Sequence, residues 1–381
     1  MKKIYMDYSA ATPMRPEVIE AMQPFFSDKF YNPSAIYLAA KDVKKQLEAA
    51  RHSVAVILGA KPAEIIFTAG ATEANNLAVQ GVARQFPEGE ILISAVEHES
   101  VTAPAGLFGA NEIPVDDKGL IILNKLSNLI NDKTVLVSVM LVNNELGVIQ
   151  PLAEVAKIIA EVRRDRAQNG NKLPLYLHTD AAQAGNYLDL HTSRLGVDLM
   201  SLNGGKIYGP KQSGILYVKA GAKLQPLIVG GGQEFNLRSG TENVAAICGF
   251  AKALELAQAG RQAEFRRLNG LRENFETQLK DNFPTATING TVKHRSPHIT
   301  SVTFDGEDNE RLMMRLDEKG IMCAVGSACS ASSDEPSHVL RAIGLSEARA
   351  QSTLRFSFGA STDQAAVDQV ISTLCDLLIN R

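Results

Sequence analysis

From residue 64 onward, short runs rich in Val, Ile and Leu alternate with longer stretches in which apolar residues return every three or four positions. The first pattern predicts buried strands and the second predicts amphipathic helices, so the chain reads as βα units around a mostly parallel sheet. The strands are expected at 64–68, 90–94, 112–115, 135–141, 175–179, 199–202 and 214–218. Between the first two, Ala74, Leu77, Ala78, Val82 and Phe86 share one helix face that should pack on the sheet. After Gly240 the rhythm changes. A helical pattern runs through Leu256, Gly260 predicts a break, and a charge-laced helix follows from 264 to about 280. Strands at 299–304 and 353–358, a helix at 310–318 stopped by Gly320 and a final helix complete the chain. The expected fold class is α/β, with a seven-stranded, mostly parallel sheet in a large domain at 15–258. Residues 1–14 and 259–381 form a small α+β domain.

Charge narrows the function. The 381 residues carry 39 Lys+Arg against 42 Asp+Glu, a balance with no field for gripping nucleic acid or an anionic membrane. No window approaches the run of about 18 apolar residues that a membrane span needs. The four cysteines, Cys248, Cys323, Cys329 and Cys375, include no CxxC pair, which argues against a disulfide framework or structural zinc and for a reducing, cytoplasmic location.

Three features point to chemistry when taken together. Gly70-Ala71-Thr72-Glu73 joins a strand to a helix, with Thr72 expected as N-cap, and a helix N-terminus suits a phosphate. Asp180 closes a strand at its carboxyl end, where open α/β sheets bind ligands. Lys206 stands among glycines in Asn203-Gly204-Gly205-Lys206, and a confined lysine can form a Schiff base with a carbonyl. Each alone has a bland reading: a strand–helix junction, a turn-capping acid, a surface charge. Their combination matches the needs of pyridoxal phosphate, which takes an acid at its ring nitrogen, a lysine at its aldehyde and N–H groups at its phosphate. His98 either stacks on a flat ring and shuttles protons or caps the next helix. Arg355, opposite Leu354, Phe356 and Phe358 in alternation, either clamps a carboxylate or forms a structural ion pair. Cys329 lies in a stretch of small and polar residues that suits an exposed loop able to carry a thiolate, whereas Cys248, Cys375 and Cys323 read as buried small hydrophobes.

Across nearly its whole length the chain resembles the cysteine desulfurases, pyridoxal-phosphate enzymes of fold type I in the class V aminotransferase group. The motifs run in order from Asp7-Tyr8-Ser9-Ala10-Ala11-Thr12-Pro13 through Thr68-Ala69-Gly70-Ala71-Thr72-Glu73-Ala74-Asn75, Glu97-His98, Asn143-Asn144-Glu145-Leu146-Gly147 and His178-Thr179-Asp180. They continue through Lys206-Ile207-Tyr208-Gly209-Pro210, Arg238-Ser239-Gly240-Thr241 and Gly326-Ser327-Ala328-Cys329. The resemblance implies that Lys206 binds the cofactor, Asp180 pairs with its ring nitrogen, and His98 stacks on the ring and moves protons. It assigns Asn144 and Gln183 to the ring hydroxyl, and Ala71, Thr72 and Asn203 to the phosphate, joined by Thr241 from a second subunit of a homodimer. Asn32 and Arg355 would bind the substrate carboxylate. Cys329 would accept sulfur from L-cysteine as a persulfide, leaving L-alanine, and pass it to an iron–sulfur scaffold or a tRNA-thiolation protein. In related proteins this cysteine briefly shares a cluster with a scaffold, so the resemblance also implies Cys329 as a transient metal ligand. Two other readings stay open: a selenocysteine lyase, and a catalytically weakened sulfur-transfer scaffold. The second follows from a departure, because the family usually has Ser-Gly-His where this chain has Asn203-Gly204-Gly205.

Overall fold

The computed structural model describes residues 3–326 and 336–379. A short strand β1 (Ile4–Tyr5) precedes the seven that build the central sheet. These are β2 (Ile65–Thr68), β3 (Glu90–Ser94), β4 (Asn111–Ile113), β5 (Thr134–Ser138), β6 (Tyr176–Asp180), β7 (Leu199–Asn203) and β8 (Gly214–Val218). Their order across the sheet is β2-β8-β7-β6-β5-β3-β4. Neighbours from β4 to β7 pair parallel, and β8 runs antiparallel to both β7 and β2. The chain leaves β3 for the edge strand β4 and then returns to β5, so the direction of winding reverses between β3 and β5. Open sheets of this kind form a ligand crevice at such a reversal, beyond the carboxyl ends of the strands.

Alternation within each strand divides the side chains between two cores. Ile65 and Phe67 join one apolar cluster with Leu92, Val137 and Leu177, while Ile66, Ile91, Ile93 and Leu136 join the other. The predicted stripe Ala74, Leu77, Ala78 and Val82 packs into this second cluster, carried by the helix Ala71–Gln85. Two-sided burial is what makes these strands continuous apolar runs rather than polar–apolar alternations.

A second lobe is organised around β10 (Ile299–Thr303), which pairs antiparallel with β9 (Thr287–Ile288) and β12 (Thr353–Ser357). Beside them β1 pairs parallel with β11 (Ile321–Met322). Leu354, Phe356 and Phe358 point into this lobe's core against Phe275, as the alternation predicts.

One expectation fails here. A single helix, Val244–Asn282, runs through Gly260 and across the predicted boundary at 258. A mid-helix glycine costs only about 1 kcal/mol relative to alanine. This helix is anchored at both ends, by Phe250 and Leu254 in the sheet core and by Leu268, Phe275 and Leu279 in the second. Packing therefore overrides the break signal.

Candidate active site

The helix Ala71–Gln85 starts immediately after β2, and its N-cap is Gly70 rather than the expected Thr72. Gly70 has φ +117°, and a Cβ added at Gly214 of β8 would lie 2.7 Å from its Cα. Only glycines at both positions let the helix start settle on the sheet. No side chain caps this end. The N–H groups of Ala71 and Thr72 thus lack intrahelical partners and face a cavity with the positive end of the helix dipole.

Asp180 ends β6 at the floor of the same cavity and is buried. Its Oδ1 accepts from the Ala182 N–H at 2.9 Å and its Oδ2 from Asn75 Nδ2 at 2.7 Å. Beneath it on the strand, His178 lies between the hydroxyls of Ser138 and Ser201, and burial lowers its pKa to about 4. His178 is therefore a neutral structural group.

Lys206 follows β7 in the 3₁₀ turn Gly204–Lys206. Its Nζ donates to the carbonyl of Ser9 at 2.7 Å and to that of Ala10. Asn203 caps the turn, its Oδ1 accepting from the Gly205 N–H at 3.0 Å, which leaves Nδ2 as the donor available to a phosphate.

Of the two roles read for His98, helix capping is the one the fold displays. His98 caps the helix Glu99–Gly106, with Nδ1 accepting from the Ser100 N–H at 3.1 Å, and it lines the cavity. Arg355 forms the structural ion pair and also lines the cavity. It donates to Asp7 Oδ1 at 2.8 Å and to the Asn144 carbonyl at 3.0 Å, yet its buried Nε has no partner among the described residues.

Ala71, Thr72, His98, Asn144, Asp180, Gln183, Asn203, Lys206 and Arg355 all line this one cavity. Asn32 and Thr241 do not. Asn32 is exposed and caps its own turn at Ser34, and Thr241 is exposed beside a separate cavity with Gln212 and Arg238. Cys329 lies outside the described residues. Among the described residues no cluster of His, Cys, Asp or Glu could hold a metal ion, and no helix is long and apolar enough to cross a membrane.

Residues 4–370 match the model of the class V aminotransferases. The cysteine desulfurase IscS of Dictyoglomus turgidum is 39% identical over 380 residues, covering 98% of this chain and 94% of the relative. A cysteine desulfurase of Homo sapiens is 37% identical, with 97% of this chain and 80% of the relative covered. The chain belongs to the cysteine desulfurase family. Solved relatives carry the same architecture: a NifS-like protein superposes with a TM-score of 0.90 at 30% identity over 100% of both chains. The structure of SspA in complex with cysteine gives 0.80 at 35% identity, over 94% of this chain and 99% of that one.

The family depends on pyridoxal phosphate and has the type I fold, and the cavity suits that group on its own terms. It offers an uncapped helix N-terminus for a dianion, a buried carboxylate for a ring nitrogen and a lysine for an aldehyde.

Two residues that shape the site, His298 and Glu97, were given no role by the sequence. Gln183 is oriented by His298, whose Nε2 donates to Gln183 Oε1 at 3.2 Å while the ring stacks on Tyr187 at 4.3 Å. Burial, together with the Arg355 charge, lowers the His298 pKa to about 3, so this imidazole is a neutral strut. Glu97 is fully buried, with Oε1 accepting from the Met140 N–H and Oε2 without a partner among the described residues. Desolvation, then the Asp180 charge, raises its pKa from 4.5 to about 8.

Glu97 has a consequence for stability. Between about pH 4.5 and 8 the folded state keeps a proton that the unfolded state releases, so this group's contribution falls as pH rises through that window. The loss is on the order of a few kcal/mol. Glu97→Gln should remove the slope: the melting temperature of variant minus parent should climb from pH 5 to pH 8, whereas a constant difference would show that Glu97 does not titrate there.

The departure at Gly205 also yields a test. An added Cβ would meet Asn203 Oδ1 at 3.4 Å, Lys211 Cγ at 3.7 Å and Lys211 Cα at 3.9 Å, ordinary van der Waals contacts that leave space for a side chain. Gly205→His should tighten pyridoxal phosphate about ten- to a hundredfold, the value of one hydrogen bond to a charged group, with little change in turnover. Equal dissociation constants would mean that the phosphate is already satisfied.

Proposed function

We propose that the chain is an L-cysteine desulfurase that forms L-alanine and a persulfide on Cys329, supplying sulfur for iron–sulfur cluster assembly or tRNA thiolation. The reading rests on one cavity lined by a lysine, a strand-end carboxylate, an uncapped helix N-terminus and a buried guanidinium. The division into a cofactor domain at 15–258 and a small domain of 1–14 with 259–381 is part of this proposal.

When bound, pyridoxal phosphate supplies an electron sink for the substrate's carbon skeleton. Ala71, Thr72 and Asn203 would hold its phosphate, Asp180 its ring nitrogen, Asn144 and Gln183 its hydroxyl, and Lys206 its aldehyde carbon. His98 would lie against the ring and exchange a proton through Nε2, since its Nδ1 already accepts from Ser100. Arg355, which lines the cavity, would take the substrate carboxylate, and Asn32, outside the cavity in this chain, would have to approach it to join.

Cys329 would take the substrate's sulfur, an S–S bond forming as the substrate's C–S bond breaks. The other thiols are poorer thiolates: Cys323 is buried, Cys248 and Cys375 only partly so rather than buried as expected, and desolvation pushes Cys323 up to about 12, Cys248 up to about 11 and Cys375 upward. Family relatives named cysteine desulfurase and the relative solved with cysteine support L-cysteine as substrate. The acceptors would be sulfur-carrying proteins such as an iron–sulfur scaffold, with Cys329 as a transient ligand to the cluster, and the location cytoplasmic.

A homodimer completes the phosphate site in this reading, with Thr241 supplied by the second copy. Support comes from apolar side chains left uncovered near it: Val229 is 78% exposed and Phe235 is 49% exposed. Phe235 rides on a turn in which Glu234, Phe235 and Asn236 all have positive φ. That strained turn is held by a buried, two-point ion pair of Glu234 with Arg51, at 2.7 and 2.8 Å.

The test is product and adduct together. With L-cysteine the enzyme should release alanine and carry a persulfide on Cys329 by mass spectrometry. Cys329→Ser should bind cysteine without forming the persulfide, and Lys206→Ala should do neither. A persulfide on another thiol would move the nucleophile, and alanine from L-selenocysteine alone would make the enzyme a selenocysteine lyase.

A further inference from the structure

Asn75 lies one turn inside the helix that presents Ala71 and Thr72, and it is fully buried. The two hydrogens of its Nδ2 have separate acceptors: Asp180 Oδ2 at 2.7 Å and Ser100 Oγ at 2.8 Å. Ser100 Oγ in turn lies 2.8 Å from His98 Nδ1. The Ser100 N–H also points at Nδ1, so that nitrogen is an acceptor and the Ser100 hydroxyl must donate to it. The hydrogen bonds therefore have one consistent direction, from Asn75 to Asp180 on one side and from Asn75 through Ser100 to His98 on the other.

The amide cannot turn around. Reversal would set its oxygen against the Asp180 carboxylate. In the orientation it keeps, Oδ1 is buried without a partner among the described residues. A side chain present only for stability would satisfy both ends, because an orphaned buried acceptor costs free energy. Here the orphan is tolerated so that both N–H groups can face the site.

We propose that Asn75 is a positioning residue: its amide, locked by Ser100, aims the Asp180 carboxylate at the cofactor's ring nitrogen and holds the His98 proton on Nε2. One amide then joins the helix that receives the phosphate, the acid that receives the ring nitrogen and the imidazole beside the ring. The inference rests on the proposed role of Asp180.

The experiment measures dissociation constants for two probes on the full-length protein stripped of cofactor. One probe is pyridoxal phosphate; the other is its analogue with carbon in place of the ring nitrogen, which cannot use Asp180. The parent should prefer pyridoxal phosphate. Asn75→Leu should weaken pyridoxal phosphate by about ten- to a hundredfold and the carbon analogue by less than about threefold. Ser100→Ala should show the same selective pattern at smaller size, with Ser100→Thr restoring the parent values, and this pair carries the test where Asn75→Leu does not fold. Equal weakening of both probes would reduce Asn75 to a structural residue and overturn the proposal. A parent that binds both probes equally would refute the role of Asp180 itself and the proposal with it.

Discussion

The ammonium of Lys206 is held by two backbone carbonyls, those of Ser9 and Ala10, which lie almost two hundred positions away along the chain. A half-buried cation needs such acceptors, and supplying them forces the N-terminal segment to lie across the mouth of the sheet. The segment is fixed there at several points. Thr12 Oγ1 donates to the Gly205 carbonyl and accepts from the Tyr208 N–H, bracketing the lysine on both sides. Gln183 Nε2 donates to the same Ser9 carbonyl that receives Lys206, and Arg355 reaches Asp7 from the second lobe.

The site consequently lies where the two lobes meet. His298 from the second lobe orients Gln183, Ser337 donates to Glu145 at 2.6 Å, and His338 approaches the Glu97 carbonyl at 2.8 Å. The last two contacts fall within a residue of Asn144 and His98, so packing of the second lobe is felt at the cavity wall. The continuous helix Val244–Asn282, seated in both cores, limits how far the lobes can rotate against one another. Preorganisation of this kind is what lets a site hold several polar groups in one geometry without reordering them on binding.

The sheet was readable in the sequence because its inner strands are largely apolar runs bounded by turns, and burial on both faces leaves that pattern intact; only the edge strand β4, with Asn111 and Glu112 exposed, departs from it. Asp180 and Lys206 were readable for a related reason: each ends or follows such a run, at the edge where open sheets place their ligands. Local signals failed where tertiary packing decided the outcome. Gly260 reads as a stop, but two cores hold the helix straight through it. Thr72 reads as a cap, but the helix starts two residues earlier, where Gly70 closely approaches Gly214. Asn75 stands inside a family motif and Ser100 beside His98, but no role could be read for them or for His298, because their meaning depends on which distant atom each faces. Ser9 and Ala10 act through backbone oxygens, for which side-chain identity carries no information.

Lys206, held by the N-terminal segment, is the residue proposed to bond the cofactor. Borohydride reduction of the loaded protein makes that bond permanent, and peptide mass spectrometry locates it. A single modified peptide with the pyridoxyl group on Lys206 is the expected result. Modification of Lys211 or any other lysine with Lys206 untouched would contradict it.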